Sequence, residues 1–200
     1  MDNPSYGTGA SDGTGAGPDP AGPFVRQAAG TSLMELLVVL AVIAVLAALA
    51  LPDMGVFTAR KRLMAQTDRI LLDLRRTRDL AMEQACPWRM VFDPAGDTWH
   101  CYGDADEDGK PDDGEKTLGP FSLGRGVSFG SRAGVGPNGT ALPADGVSFQ
   151  DDQVCFSPMG CCNSGTIYLT DRDSSTAIRV LPASGAVKVW QHRGAWRALP

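Results

Sequence analysis

Two sets of residues in this chain have types and spacings that could do chemistry. The first is a lone carboxylate, Glu35, inside the stretch GTSLMELLVVLAVIAVLAALAL that runs from Gly30 to Leu51. Sixteen apolar residues follow it without a break. An ionisable group at such a place is costly and marks a functional site. It needs a cationic partner, because an uncompensated charge in a low dielectric is strongly unfavourable. The second set is DADEDGKPDDGE at 104–115. Asp104, Asp106, Asp108, Asp112 and Glu115 would offer carboxylate oxygens, Lys110 its backbone carbonyl, and Gly109 would permit a sharp turn. Oxygen donors at this density suit a hard cation such as Ca²⁺, and they would repel one another without it.

The spacing of the second set matches the calcium loop of EF-hands position by position. Its flanks do not. A strand pattern precedes it, Thr117-Leu118-Gly119-Pro120 follows, and Pro111 stands where paired EF-hands carry an apolar residue. The expectation is a lone calcium loop among strands, with a solvated acidic turn as the plain alternative. Its role would be to order the loop in a calcium-rich outer compartment, without catalysis.

No catalytic set stands out. The two histidines, His100 and His192, belong to no nucleophile motif. Gly134–Gly139 lacks the strand-to-helix context and the Lys-Ser/Thr of a phosphate cradle. The five cysteines, Cys86, Cys101, Cys155, Cys161 and Cys162, contain no CxxC pair, so a zinc site is not expected. Outside the cytoplasm one or two disulfides are expected. Cys155 with Cys161 or Cys162, and Cys86 with Cys101, are the candidate pairings, and the odd number leaves one thiol over. The net charge of −5 gives no sign of a nucleic-acid partner. One of 18 cations and three of 23 anions lie before Gly30, so the remainder carries −3. The basic run Arg60–Arg78 is interleaved with Asp68, Asp73 and Asp79 at helical spacing, the pattern of a solvated helix face.

These residues must be positioned by a few elements. Residues 1–29 are rich in Gly, Pro, Ser, Thr and Asp and cannot bury enough surface to offset their ordering entropy. Thr31–Leu51 as a helix would be roughly 31 Å long, about the thickness of a bilayer's hydrocarbon core. A secretory signal cut after Ala48-Leu49-Ala50, or a plain anchor, would leave Glu35 unexplained. After Pro52 an apolar stripe recurs at Leu63, Thr67, Ile70, Leu74, Thr77 and Ala81, predicting a helix that packs one face on a domain and stops at Pro87. Beyond it the pattern switches to strands: 88–92 and 98–102 around the turn Pro94–Asp97, then 127–130, 146–150, 153–156, 166–169, 177–181 and 186–191, the last two joined by Pro182–Gly185. Trp88, Trp99, Trp190 and Trp196 read as core or hairpin residues.

The chain resembles type IV prepilins and the pseudopilins of type II secretion. The residues that carry the resemblance are Gly30, Thr31 and Glu35, the apolar helix from Leu36, and Pro52. Phe156-Ser157-Pro158-Met159-Gly160, then Gly165–Leu169 and the closing hairpin, resemble the GspH/FimT branch of minor pseudopilins, over about 30–192. The resemblance implies that a prepilin peptidase cuts after Gly30 and methylates Thr31, and that Glu35 pairs with a neighbour's N-terminus during assembly. It implies an α+β, pilin-like fold, with a long N-terminal helix packed on a small antiparallel β-sheet domain. Residues 1–30 would be a leader, 31–51 the transmembrane and filament-core helix, 52–86 its amphipathic continuation and 87–200 a periplasmic β domain. The implied partners are other pseudopilins or pilins, the prepilin peptidase, an inner-membrane assembly platform and the lipid bilayer. The implied place is the bacterial inner membrane, single-pass, with the N-terminus cytoplasmic. Arg26 against Arg60, Lys61 and Arg62 argues for the opposite orientation, but the peptidase site is the more specific signal. A type IV minor pilin and a secreted calcium-binding β domain are the alternative functions.

Overall fold

The structure is a computed structural model that describes residues 32–50, 54–171 and 173–199. The chain falls into two units, one ending at Ala47 and one beginning at Ala48.

In the first unit, helix α1 (Leu33–Ala50) starts at Ser32, whose carbonyl accepts from the amides of Glu35 (2.9 Å) and Leu36 (3.2 Å). Ser32 and Glu35 have the spacing of a capping box, which favours a carboxylate in the first turn. The described apolar side chains Leu33–Leu46 are exposed on every face, between 51 % and 79 % for the large ones. A helix apolar all round needs an apolar environment of its own. Among the described residues no helix is long and apolar enough to cross a membrane. Gly30, Thr31, Leu51 and Pro52, where the sequence reading places the cut, the methylation, the end of the span and the kink, lie outside them.

Among the described residues the second unit holds helix α2 (Met54–Gln84) and nine strands. Leu63, Thr67, Ile70, Leu74, Thr77 and Ala81 are all buried, so the stripe read from the sequence is the packing face. Its two hydroxyls return to the helix: Thr67 Oγ1 donates to Leu63 O at 2.9 Å and Thr77 Oγ1 to Asp73 O at 2.7 Å. Beyond Gln84 the backbone turns left-handed at Ala85 (φ 51), and Pro87 prevents resumption.

One antiparallel sheet comprises β1 (Trp88–Asp93), β2 (Thr98–Gly103), β3 (Thr117–Ser122) and β5 (Gln153–Phe156), in the order β3-β2-β1-β5. The other comprises β4 (Ser128–Phe129), β6 (Gly165–Thr170), β7 (Ser175–Val180), β8 (Val187–His192) and β9 (Trp196–Ala198), in that order. Trp88, Met90 and Phe92 of β1, Trp99 and Cys101 of β2, and Ile167, Leu169 and Ile178 of the second sheet join the α2 stripe in one core. The fold is therefore α+β, as expected, but with two sheets where the sequence suggested one.

One other expectation is corrected, and two strands stand where the sequence suggested none. Residues 146–150 form no strand. Gly146 (φ 91) bends the chain, only Val147 bridges β6, and a 3₁₀ turn begins at Gln150 with Asp151 and Asp152 left-handed. The segment after the acidic loop, read as a plain flank, is strand β3. It tolerates Pro120 because it lies at a sheet edge. β9 was not foreseen; it is three residues long, too short to show an alternation.

Candidate functional site in the acidic loop

The strands β1 and β2 present the loop at one end of their ladder. Inward-facing Trp88 and Met90 leave Arg89 on the other face, directly opposite Tyr102. β2 ends at Gly103, whose amide donates to Lys116 O (3.1 Å), and the Asp104 amide donates to Pro87 O (2.8 Å). Both ends of the loop are thus tied where α2 passes into β1.

Asp104 is fully buried. One of its carboxylate oxygens pairs with Arg89 Nε, and the other accepts from the Gly109 amide at 3.2 Å. Asp106 Oδ1 accepts from the Asp108 amide (3.3 Å), and Asp108 Oδ1 from the Lys110 amide (2.7 Å). Glu115 closes the loop: Oε1 accepts from Ala105 N (2.7 Å) and Oε2 from Asp112 N (3.1 Å). From below, the Tyr102 hydroxyl donates to Gly109 O at 2.8 Å. Gly109 has φ 80, which only glycine adopts without strain.

This wrapping brings carboxylate oxygens of Asp104, Asp106 and Asp108 within 4.8 Å of one another. Asp112 stands exposed at the rim. Its pKa is raised by the charge of Asp108, helped by slight desolvation and by Asp106, Glu115 and Asp113. Burial, with Asp104, Glu115 and Asp108 acting against Arg89, pushes the Tyr102 hydroxyl up to about 12. Three converging carboxylates, with Glu115 hydrogen-bonded to both flanks, form an all-oxygen donor set suited to a divalent hard cation. Asp112 and Glu115 lie outside the converging group of three. Arg89 was missed by the sequence reading. Nothing in its neighbourhood singles it out; only strand register shows that a cation sits against Asp104.

The other candidates are dispersed. Glu35 is exposed in the first turn of α1. All five cysteines are free thiols. Cys101 lies in the core with its sulfur 3.3 Å from Thr77 Oγ1, and burial pushes it up to about 11. Cys155 and Cys162 lie on β5 and on the segment that bridges it, both raised by burial. Cys161 is exposed and Cys86 half-buried. His100 stacks on Tyr102 and His192 leans on Trp196.

A family model described as "Type II transport protein GspH" matches residues 66–185, from the middle of α2 to the β7–β8 turn. No curated protein sequence matches the chain. Among solved structures, the chain is similar to the minor pseudopilin EpsH from the Type 2 Secretion System of Vibrio cholerae, at 11 % identity and a TM-score of 0.44. The match covers 69 % of this chain and 96 % of that one.

Proposed function

The chain belongs to the GspH family of type II transport proteins, and from that premise we propose that it is a minor pseudopilin, a non-catalytic subunit that assembles into the type II secretion pseudopilus. The family match across the packed core of the second unit carries the reading. The exposed α1, apolar at every position after Glu35, supports it, since such a helix requires either lipid or neighbouring helices around it. In this reading the prepilin peptidase cuts after Gly30 and methylates Thr31. The helix holds the subunit in the inner membrane with its domain in the periplasm, and then enters the filament core. Glu35 meets the Thr31 amine of a neighbouring subunit, so its desolvation is offset only when subunits stack in one register.

Mass spectrometry of the mature protein, from cells with an active prepilin peptidase, tests this. A methylated N-terminal peptide beginning at Thr31 is expected. An intact leader, or a start at Leu51, would sink the reading. Glu35→Ala is expected to be processed normally but to enter filaments about tenfold less well or worse. The same variant separates secretion from a type IV pilus: lost export with unchanged motility, adhesion and DNA uptake favours secretion.

The acidic loop, in the same proposal, binds Ca²⁺ through Asp104, Asp106, Asp108 and Glu115 and is ordered by it. Calcium titration of the full chain in detergent should show saturable binding at about 0.1–1 mM, the range of extracellular modules. The pH dependence has a definite sign. Asp112, at the rim of that group, has its pKa raised in the fold by Asp108, so without calcium its contribution to stability falls as pH rises through the carboxylate range. Calcium beside Asp108 offsets that repulsion, so the gain in melting temperature on adding it should grow over the same interval, upward from about pH 4. A calcium effect that is absent, or that shrinks as pH rises, removes the assignment.

A further inference from the structure

The outer face of the second sheet gathers hydrogen-bond donors at one end. Ile167, Ile178 and Val180 turn into the core, so Thr166 and Arg179 point the other way. Strand register sets Thr166 of β6 opposite Arg179 of β7, and Arg179 opposite Lys188 of β8. Two cations thus stand directly across from each other, which is destabilising for the sheet. Among the described residues no carboxylate pairs with either. Arg179 is nonetheless held in place: its Nε donates to Thr166 Oγ1 (3.1 Å), and its guanidinium lies over the Trp190 ring, 5.6 Å from the centroid. Beside it lies a hollow of about 380 Å³, lined by Ser148, Ser164, Thr166 and Arg179 together with Leu181 and Pro182. No acid lines it. Two of its hydroxyls are already engaged as acceptors: Ser148 Oγ accepts from the Thr166 amide at 2.8 Å, and Thr166 Oγ1 from Arg179. Their own protons, with those of Ser164 and the two Nη groups of Arg179, are left to donate into the hollow.

We propose that this hollow is a binding site for an oxyanion, a carboxylate or a phosphate group. Donors from Arg179, Ser148, Ser164 and Thr166, with no acid among them, are matched by a ligand that only accepts. The guanidinium is a planar fork, and a carboxylate or phosphate meets such a fork with two parallel hydrogen bonds. Lys188 adds a second positive charge from the next strand, which favours an anion over a neutral acceptor such as a carbonyl. An anion bound there also relieves the repulsion between Arg179 and Lys188. The site belongs to a different sheet from the strands that carry the acidic loop, and it does not depend on the assembling role proposed above.

NMR titration of the full chain in uncharged detergent micelles tests it, with inorganic phosphate in one arm and glutarate in the other. Chelator is present throughout, and ionic strength is held constant so that screening does not change. Saturable shifts are expected at the Arg179 side chain and at the Ser148 and Thr166 amides, with half-saturation at about 10 mM or below for at least one probe. The probe that binds more tightly identifies the source, phosphate or carboxylate. Arg179→Met keeps an unbranched apolar stem beside Trp190 but removes the fork, and should raise half-saturation about tenfold or more. Lys188→Met, at an exposed position, should raise it about threefold. The same spectra show whether each variant is folded, and Lys188→Met carries the test if Arg179→Met is not. Shifts that do not saturate with either probe, saturation that spares the Arg179 side chain, or folded variants that titrate as wild type does would overturn the proposal.

Discussion

Asp104→Ala is expected to lower the stability of the protein by about 2–3 kcal/mol and to abolish calcium binding. The carboxylate is fully buried, while Arg89 keeps 19 % of its side chain exposed. Removing one member of a fully buried pair costs about 3–5 kcal/mol, because the other charge is left without a partner. Here solvent reaches part of the guanidinium, so the lower figure applies. The Gly109 amide also loses its acceptor, and the tight turn at φ 80 loses the bond that holds it. Asp106→Asn is the matched control: Asp106 is exposed, so its loss should weaken calcium binding and leave stability in chelator within about 0.5 kcal/mol of wild type. Urea unfolding of both variants, in chelator and in calcium, separates the structural share of the loop from its ligand-binding share. An Asp104→Ala protein as stable as wild type would show that the Arg89 pair contributes nothing.

The second large effect lies away from the loop. Gly146→Ala should cost more than about 3 kcal/mol, because two independent penalties coincide. Its φ is 91, and an added Cβ would stand 2.2 Å from Gly130 N and 2.7 Å from Gly130 Cα. Those neighbours are backbone and cannot turn aside. They are also fixed: the Gly130 amide donates to Tyr168 O (2.9 Å), and the Tyr168 amide donates to Gly146 O (2.7 Å). A shift at Gly146 therefore pulls on β6 in the middle of the core. Gly134 is the contrast, with nothing within 4 Å of the position its Cβ would take, so Gly134→Ala should be nearly neutral. Thermal melts should place the two variants at least about 6 °C apart, at roughly 2–4 °C per kcal/mol for a domain of this size. Equal melting temperatures would mean that the Gly146–Gly130 approach is not a constraint.

Legibility from the sequence followed the range of each interaction. The α2 stripe could be read because a helix writes its buried face at intervals of three and four residues, and each buried hydroxyl finds a carbonyl of the same helix. The β1–β2 hairpin could be read because its turn lies in four consecutive residues, where Asp93 Oδ1 accepts from the Gly96 amide at 3.1 Å. Residues 146–150 misled because their apolar content reflects burial of Val147 and Phe149 against β6, not a ladder of their own. Strand β3 was obscured by Gly119-Pro120, which argues against a central strand but is tolerated at an edge.

The candidate site divides in the same way. The donor types of the acidic loop, their order and the glycine at the turn are adjacent in the chain, so the sequence alone determined them. It also determined the apolar run behind Glu35 and the face that α2 buries. Tertiary structure alone decided that Arg89 neutralises Asp104, that Glu115 closes the loop onto Ala105 and Asp112, and that Arg179 joins Ser148, Ser164 and Thr166 around a hollow. Each of these depends on strand register or on packing between residues far apart in the chain. Local periodicity carries no information about which distant segment will stand opposite. That is settled by the summed burial of the core, in which two sheets and one helix face fit together in a single register.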